Sequence, residues 1–198
     1  MDRYRPNTIM GVCTSLRRFF RFLHAEGLRD DHLDDAVPKV AHRRLAELPR
    51  HLDPKQFERF IDGLDRSTPC GLRDRAMILC VARLGLRASE VVHLRLEDID
   101  WRSAILNVPT RKTGRGALLP LVADVGEAIV EYIENGRPKT TSRHLFVLHH
   151  FRIGEPASPP VVSNAVSAAL DKAGIEASIR GANLLRHTLA TSAPSRLH

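Results

Sequence analysis

The chain has 198 residues, 43% of them hydrophobic and 27% charged, a globular composition well away from disordered or membrane-spanning chains. Lys plus Arg number 30 against 23 for Asp plus Glu, a net charge of +7 with a pI near 9.9, and this excess favours a polyanionic partner. No apolar run approaches the roughly 18 residues that cross a bilayer, and the opening MDRYRPNT lacks the apolar segment of a signal peptide, so the expectation is a cytoplasmic chain with no membrane partner.

Cys13, Cys70 and Cys80 are odd in number, far apart and set in apolar helical patterns, which predicts buried free thiols, not a disulfide framework or a metal cluster. The ten histidines are dispersed, and the adjacent pair His149 and His150 has no cysteine or carboxylate at ligand spacing. No metal and no cofactor are expected.

In chain order, the first predicted helix starts from Thr8 as N-cap and carries Ile9, Val12, Cys13, Leu16, Phe19, Phe20 and Leu23 at helical spacing until Gly27. That stripe is expected to be core. Arg17, Arg18, Arg21 and His24 lie largely off it, either as a solvated face or facing phosphates. Such a helix cannot bury its stripe alone, so residues 1–45 read as part of a helical domain whose beginning is missing. The stretch from Pro38 to Pro49 reads as a linker, the domain division places it at 46–52, and a second domain runs over 53–198.

The second domain opens on Asp53 as N-cap, Pro54 at the first helical position and Gln56 closing a capping box, with Phe57, Phe60, Ile61 and Leu64 on one face. Residues 72–84 form a helix apolar almost all round in its second half, the expected centre of the domain, ended by Gly85. Ser89 caps the next short helix, whose Val91, Val92 and Leu94 point inward. Arg87 therefore falls in a tight connection between packed helices, a rigid base for a charged anchoring group.

The period then changes. Residues 104–108 read as a strand, TRKTGR as a turn and residues 117–122 as the returning strand. The hairpin tip holds Arg111, Lys112 and Arg115, either as a soluble turn or as cations reaching a groove or a phosphate. One further helix has Val125, Ala128, Ile129, Tyr132 and Ile133 inside. Residues 146–148 read as a short strand, the SPP run at 158–160 as a turn, and a helix starts at Ser163 and stops at Gly174. In GANLLRHTLATS, Leu184, Leu185, Thr188 and Leu189 can pack while Arg186 and His187 point elsewhere.

GLRASEVVHLRLEDIDW, the hairpin with RKTGRGALLPL and NLLRHTLAT together resemble, in order and spacing over residues 50–191, the motifs of the tyrosine recombinase (phage integrase) family. The resemblance implies a mainly α fold with a small antiparallel β-hairpin or sheet, preceded by part of a helical core-binding domain. It also implies double-stranded DNA as partner and chemistry without metal or ATP, in which a tyrosine attacks a phosphodiester and cations stabilise the charge. On that resemblance Arg87 and Arg186 are the two arginines that fork onto nonbridging oxygens. Lys112 is the general acid toward the leaving 5′-oxygen, Glu90 orients Arg87, and His187 matches the histidine that follows the second arginine.

Two departures temper the expectation. Asn183 stands where the family has histidine, and it cannot shuttle a proton near neutral pH. The family's nucleophilic tyrosine lies some tens of residues beyond the second arginine, whereas Tyr4 and Tyr132 are the tyrosines present. The expectation is a recombination or integration protein of this type, truncated, which grips the scissile phosphate but is catalytically incomplete unless a tyrosine comes in trans. The alternative is a non-catalytic DNA-binding remnant, or a partner of an intact recombinase, with homo-oligomers or mixed assemblies on DNA open in either case. A basic enzyme acting on a small phosphorylated substrate is a more distant third, unsupported by any GxxxxGK[ST] cradle.

Overall fold

A computed structural model describes residues 6–38, 51–109, 116–177 and 179–192. The chain forms two compact units, residues 1–47 and 48–198. Among the described residues no helix is long and apolar enough to cross a membrane, and no cluster of His, Cys, Asp and Glu could hold a metal ion.

In the first unit, helix α1 runs Pro6–Ala25 and the short α2 runs Leu33–Ala36. Thr8 lies inside α1 and is not its cap. The helix ends at Ala25, and the turn after it passes through Gly27, whose left-handed φ of 66° suits a residue without Cβ. α1 packs on α2, and Cys13 and Val37, just past the end of α2, are the buried apolar side chains among the described residues of this unit. Much of the expected core stripe is not core. Ile9, Val12, Leu16 and Phe19 are exposed, Phe19 at 53%, and Phe22 joins them, because the four residues of α2 are too few to cover a 20-residue helix.

The second unit is built around helix α4, Pro69–Leu84. Thr68 caps it by accepting the Gly71 N–H, and Pro69 occupies its first turn, so it begins three residues before the expected Leu72. From Ala76 to Ala82 every residue is at most 1% exposed. Burying each large apolar side chain there contributes roughly 1.5–3 kcal/mol before entropy is counted. Helix α3, Pro54–Asp62, starts on the expected capping box: Gln56 N–H donates to Asp53 at 2.8 Å, and Asp53 N–H donates back to the Gln56 side chain at 3.2 Å. Phe60 and Leu64 go into the core.

Helices α5 (Ala88–His93), α6 (Ala123–Asn135), α7 (Pro159–Lys172) and α8 (Ala182–Ser192) complete the unit. α4 packs against α5, α6, α7 and α8, and α5 packs on α7. The SPP run is no turn: Ser158 is the N-cap of α7 and the two prolines fill its first positions, where a missing N–H costs nothing. A three-stranded antiparallel sheet has the order β1 (Ile99–Asp100), β2 (Ile105–Val108), β3 (Ala117–Pro120), with Leu106 opposite Ile99 and Leu119. The hairpin was expected; β1 was not.

Residues 146–148 make no strand. Instead Leu145 N–H donates to Leu94 at 2.8 Å and Leu96 N–H to Arg143 at 3.0 Å, pairing the segment with the exit of α5, and Val147 forms a lone bridge to Pro156. Arg73, buried at 7%, binds Asp74 at 2.7 Å and the Val147 carbonyl at 3.4 Å. Tyr132 is fully buried, stacks on Phe146, and its hydroxyl accepts the Val147 N–H at 3.4 Å. Of the cysteines, Cys13 and Cys80 are buried and Cys70 is only partly so; all three are free thiols.

Candidate DNA-phosphate site

The site grows from the end of α4. Gly85 terminates that helix in the left-handed region, φ 67° and ψ 22°, with its N–H on Val81 and the Leu86 N–H on Cys80. The Gly85 bond to Val81 is the single-bond left-handed cap that glycine favours. Leu86 then dives into the core at 3% exposure, and the chain re-emerges at Arg87, which is the N-cap of α5 in place of the expected Ser89.

Arginine has no acceptor with which to cap a helix. Glu90 takes over: its carboxylate accepts the Arg87 backbone N–H at 2.7 Å with one oxygen and the Arg87 guanidinium at 2.7 Å with the other. The Arg87 side chain is 66% exposed and Glu90 19%. Burial pushes the Glu90 carboxyl up, but the Arg87 N–H, the Arg87 guanidinium and the charge of Arg186 outweigh it and hold the group below the usual carboxylate range. Glu90 thus stays ionised between two cations.

Arg186 reaches the same turn from α8, 101 residues on, where its Nη1 donates to the Gly85 carbonyl. A guanidinium carries five N–H groups, so both arginines keep further donors beyond these anchors. Two guanidiniums against one carboxylate leave a local net positive charge on an open surface. Such a surface suits an extended anionic backbone, and arginine's fork matches two phosphate oxygens as lysine cannot. A cavity of about 270 Å³ lies elsewhere, toward the start of α4, and its lining, which includes Leu64, Asp74 and Lys172, contains neither arginine.

The structure thereby brings Arg87, Glu90 and Arg186 together. Asn183 and His187 are exposed on α8, three residues before and one after Arg186. Being four apart, they share a face of the helix. Arg111, Lys112 and Arg115 lie outside the described residues. In the first unit Arg17 donates to the Val37 and Pro38 carbonyls at 3.3 and 2.6 Å, and Arg21 pairs with Asp34 at 2.8 Å, so both hold their own unit together; Arg18 is exposed. Two contributions escaped the sequence reading: the Gly85 carbonyl as anchor for Arg186, and the Thr188 hydroxyl, expected to pack, as acceptor of the Leu52 N–H. A glycine stop announces a turn, not what its carbonyl binds.

A family model described as Phage integrase family matches residues 50–193. The chain is 41% identical over 180 residues to a putative integrase/recombinase y4rA of Sinorhizobium fredii (strain NBRC 101917 / NGR234), covering 91% of this chain and 44% of that protein. It is 31% identical over 135 residues to the tyrosine recombinase XerD of Vibrio vulnificus (strain YJ016), covering 68% and 43%. The chain thus spans less than half the length of these two relatives. Among solved structures it is similar to the Tn1549 transposon integrase in complex with circular intermediate DNA, with a TM-score of 0.69 at 19% identity, covering 96% of this chain and 66% of that one. A lambda integrase dimer bound to a core site gives 0.63 at 21%, covering 91% and 64%. At these identities the structures establish the fold.

Proposed function

Because the chain belongs to the phage integrase family, we propose that it is a DNA recombination and integration protein of the tyrosine recombinase type whose second unit grips one backbone phosphate between Arg87 and Arg186. The observation that carries this reading is the convergence of two arginines from separate helices on the Gly85–Arg87 turn, around a single ionised Glu90. The solved relatives whose descriptions name bound DNA support double-stranded DNA as the partner.

In this proposal both arginines stabilise charge as it grows on the phosphoryl oxygens. Lys112 supplies the proton to the leaving oxygen, a role that the family resemblance of the RKTGR segment implies. Asn183 donates a hydrogen bond without transferring a proton, and His187 lines the same face. Arg18, Arg111 and Arg115 add contacts to neighbouring phosphates. Tyr132 is no nucleophile: burial pushes its phenol up to about 12, and its hydroxyl faces Val147 and His149. The described residues therefore hold DNA more readily than they cut it. Association with further copies, or with an intact relative, on the same DNA belongs to this reading, as does action in the cytoplasm.

The test is titration of a fluorescent duplex with the full chain across a salt series. Removing a cation that neutralises one phosphate should flatten the slope of log affinity against log salt by about 0.9. Arg87→Ala and Arg186→Ala are each expected to do so, and a flat slope in the unaltered chain would sink the proposal. Covalent capture of a nicked, phosphate-labelled duplex by the chain would overturn the binding-without-cleavage part.

A further inference from the structure

We infer that Thr188 is a positioning residue for Arg186, a role that rests on the phosphate-gripping reading above. Thr188 and Arg73 are the buried polar or charged side chains among the described residues. Arg73 is accounted for by its pairing with Asp74 and Val147. Thr188 is 2% exposed, and its hydroxyl does two things at once. It donates to the Leu184 carbonyl one turn back at 3.0 Å, as threonines inside helices do. It also accepts the Leu52 backbone N–H at 2.9 Å, across 136 residues of sequence.

Leu52 immediately precedes Asp53, the cap of α3, and is itself buried at 3%. Its N–H has no water to turn to, so an apolar residue at 188 would fill the same space and leave that donor orphaned. The bond ties the middle of α8 to the start of α3. Apart from the long Arg186 side chain's own bond to Gly85, the packing that holds α8 is apolar: Leu184 and Leu185 are fully buried, and Leu189 lies against Gly85. Apolar contact is non-directional and lets a helix slide along its axis at little cost, whereas a hydrogen bond fixes distance and angle.

Arg186 sits two residues before Thr188, about 3 Å along the axis. Any slide of α8 therefore carries the Arg186 guanidinium off the Gly85 carbonyl by the same amount. Thr188 acts on the phosphate through Arg186 and touches no DNA itself.

A double-mutant cycle on duplex affinity, run with the full chain, separates positioning from plain structure. Thr188→Val is expected to weaken binding about fivefold in the unaltered chain and less than about 1.5-fold in an Arg186→Ala background. Thr188→Cys, close in volume but a poor acceptor, runs in parallel and gives the same pattern should the valine variant fail to fold. Thr188→Ser, which keeps the hydroxyl, restores affinity. Equal losses in both backgrounds would reduce Thr188 to a structural role and overturn the inference. If instead Arg186→Ala leaves affinity unchanged, the phosphate-gripping reading itself fails, and this inference falls with it.

Discussion

Gly85→Ala tests whether the turn after α4 sets the position of Arg186. At φ 67° an alanine sits in the left-handed region, which costs about 1–2 kcal/mol for a residue with a Cβ. The new methyl would also stand 3.1 Å from Leu189 Cδ2, tight enough to push that side chain, and α8 with it, by a few tenths of an ångström. Thermal unfolding should show the first effect as a Tm lowered by about 4 °C, given roughly 2–4 °C per kcal/mol for a domain of this size. Duplex titration should show the second as a loss of about threefold, because the fork of Arg186 loses register with its phosphate. The two effects come apart in a second variant. Adding Leu189→Ala gives the methyl room, so affinity returns while the strained backbone keeps stability low. Gly85→Ala with unaltered DNA affinity would refute the link between this turn and Arg186. A double variant that recovers nothing would refute the steric route.

Tyr132→Phe removes the acceptor of the buried Val147 N–H. The bond is long at 3.4 Å, so the expected loss is at the low end of about 1–3 kcal/mol in denaturant unfolding. DNA affinity should not change, and a change would mean that this hydroxyl serves the site after all. Burial, with Arg73 and His150 acting in the same direction, pushes the His149 imidazole down to about 4. Its proton is bound more readily in the unfolded chain, so this contribution to stability is fully present above about pH 6.5 and is lost as pH falls toward 4. His149→Phe should flatten that limb of a Tm-against-pH curve; a curve parallel to that of the unaltered chain would show that His149 does not govern it.

Helix ends written in local chemistry were legible in the sequence. Asp53, Pro54 and Gln56 satisfy one another within four residues, and Gly85 supplies its own left-handed turn. The all-round apolar pattern of residues 76–82 gave the buried centre of the second unit for the same reason. What depends on long-range packing was not legible. β1 is defined by its pairing with β2, and Arg87 displaced Ser89 as cap through the Glu90 carboxylate three residues on, which a search for an acceptor on the cap residue itself passes over. The stripe on α1 showed the opposite failure. Its period is correct, but period says that a face is apolar, not that anything covers it. At the site, residue types and order announced Arg87, Glu90 and Arg186, whereas the Thr188 to Leu52 bond spans most of the second unit and leaves no local signature.

The uncovered stripe on α1 has a practical consequence. Ile9, Val12, Leu16, Phe19 and Phe22 present apolar surface to solvent, while the proposed site works through charge, so the chain answers salt in two opposing ways. Rising ionic strength weakens phosphate contacts and strips DNA from the protein. Salts such as sulfate strengthen apolar association at the same time. A chain washed free of nucleic acid in concentrated sulfate is thus at its stickiest along α1, and chloride at moderate strength is the condition that removes DNA without driving these helices together.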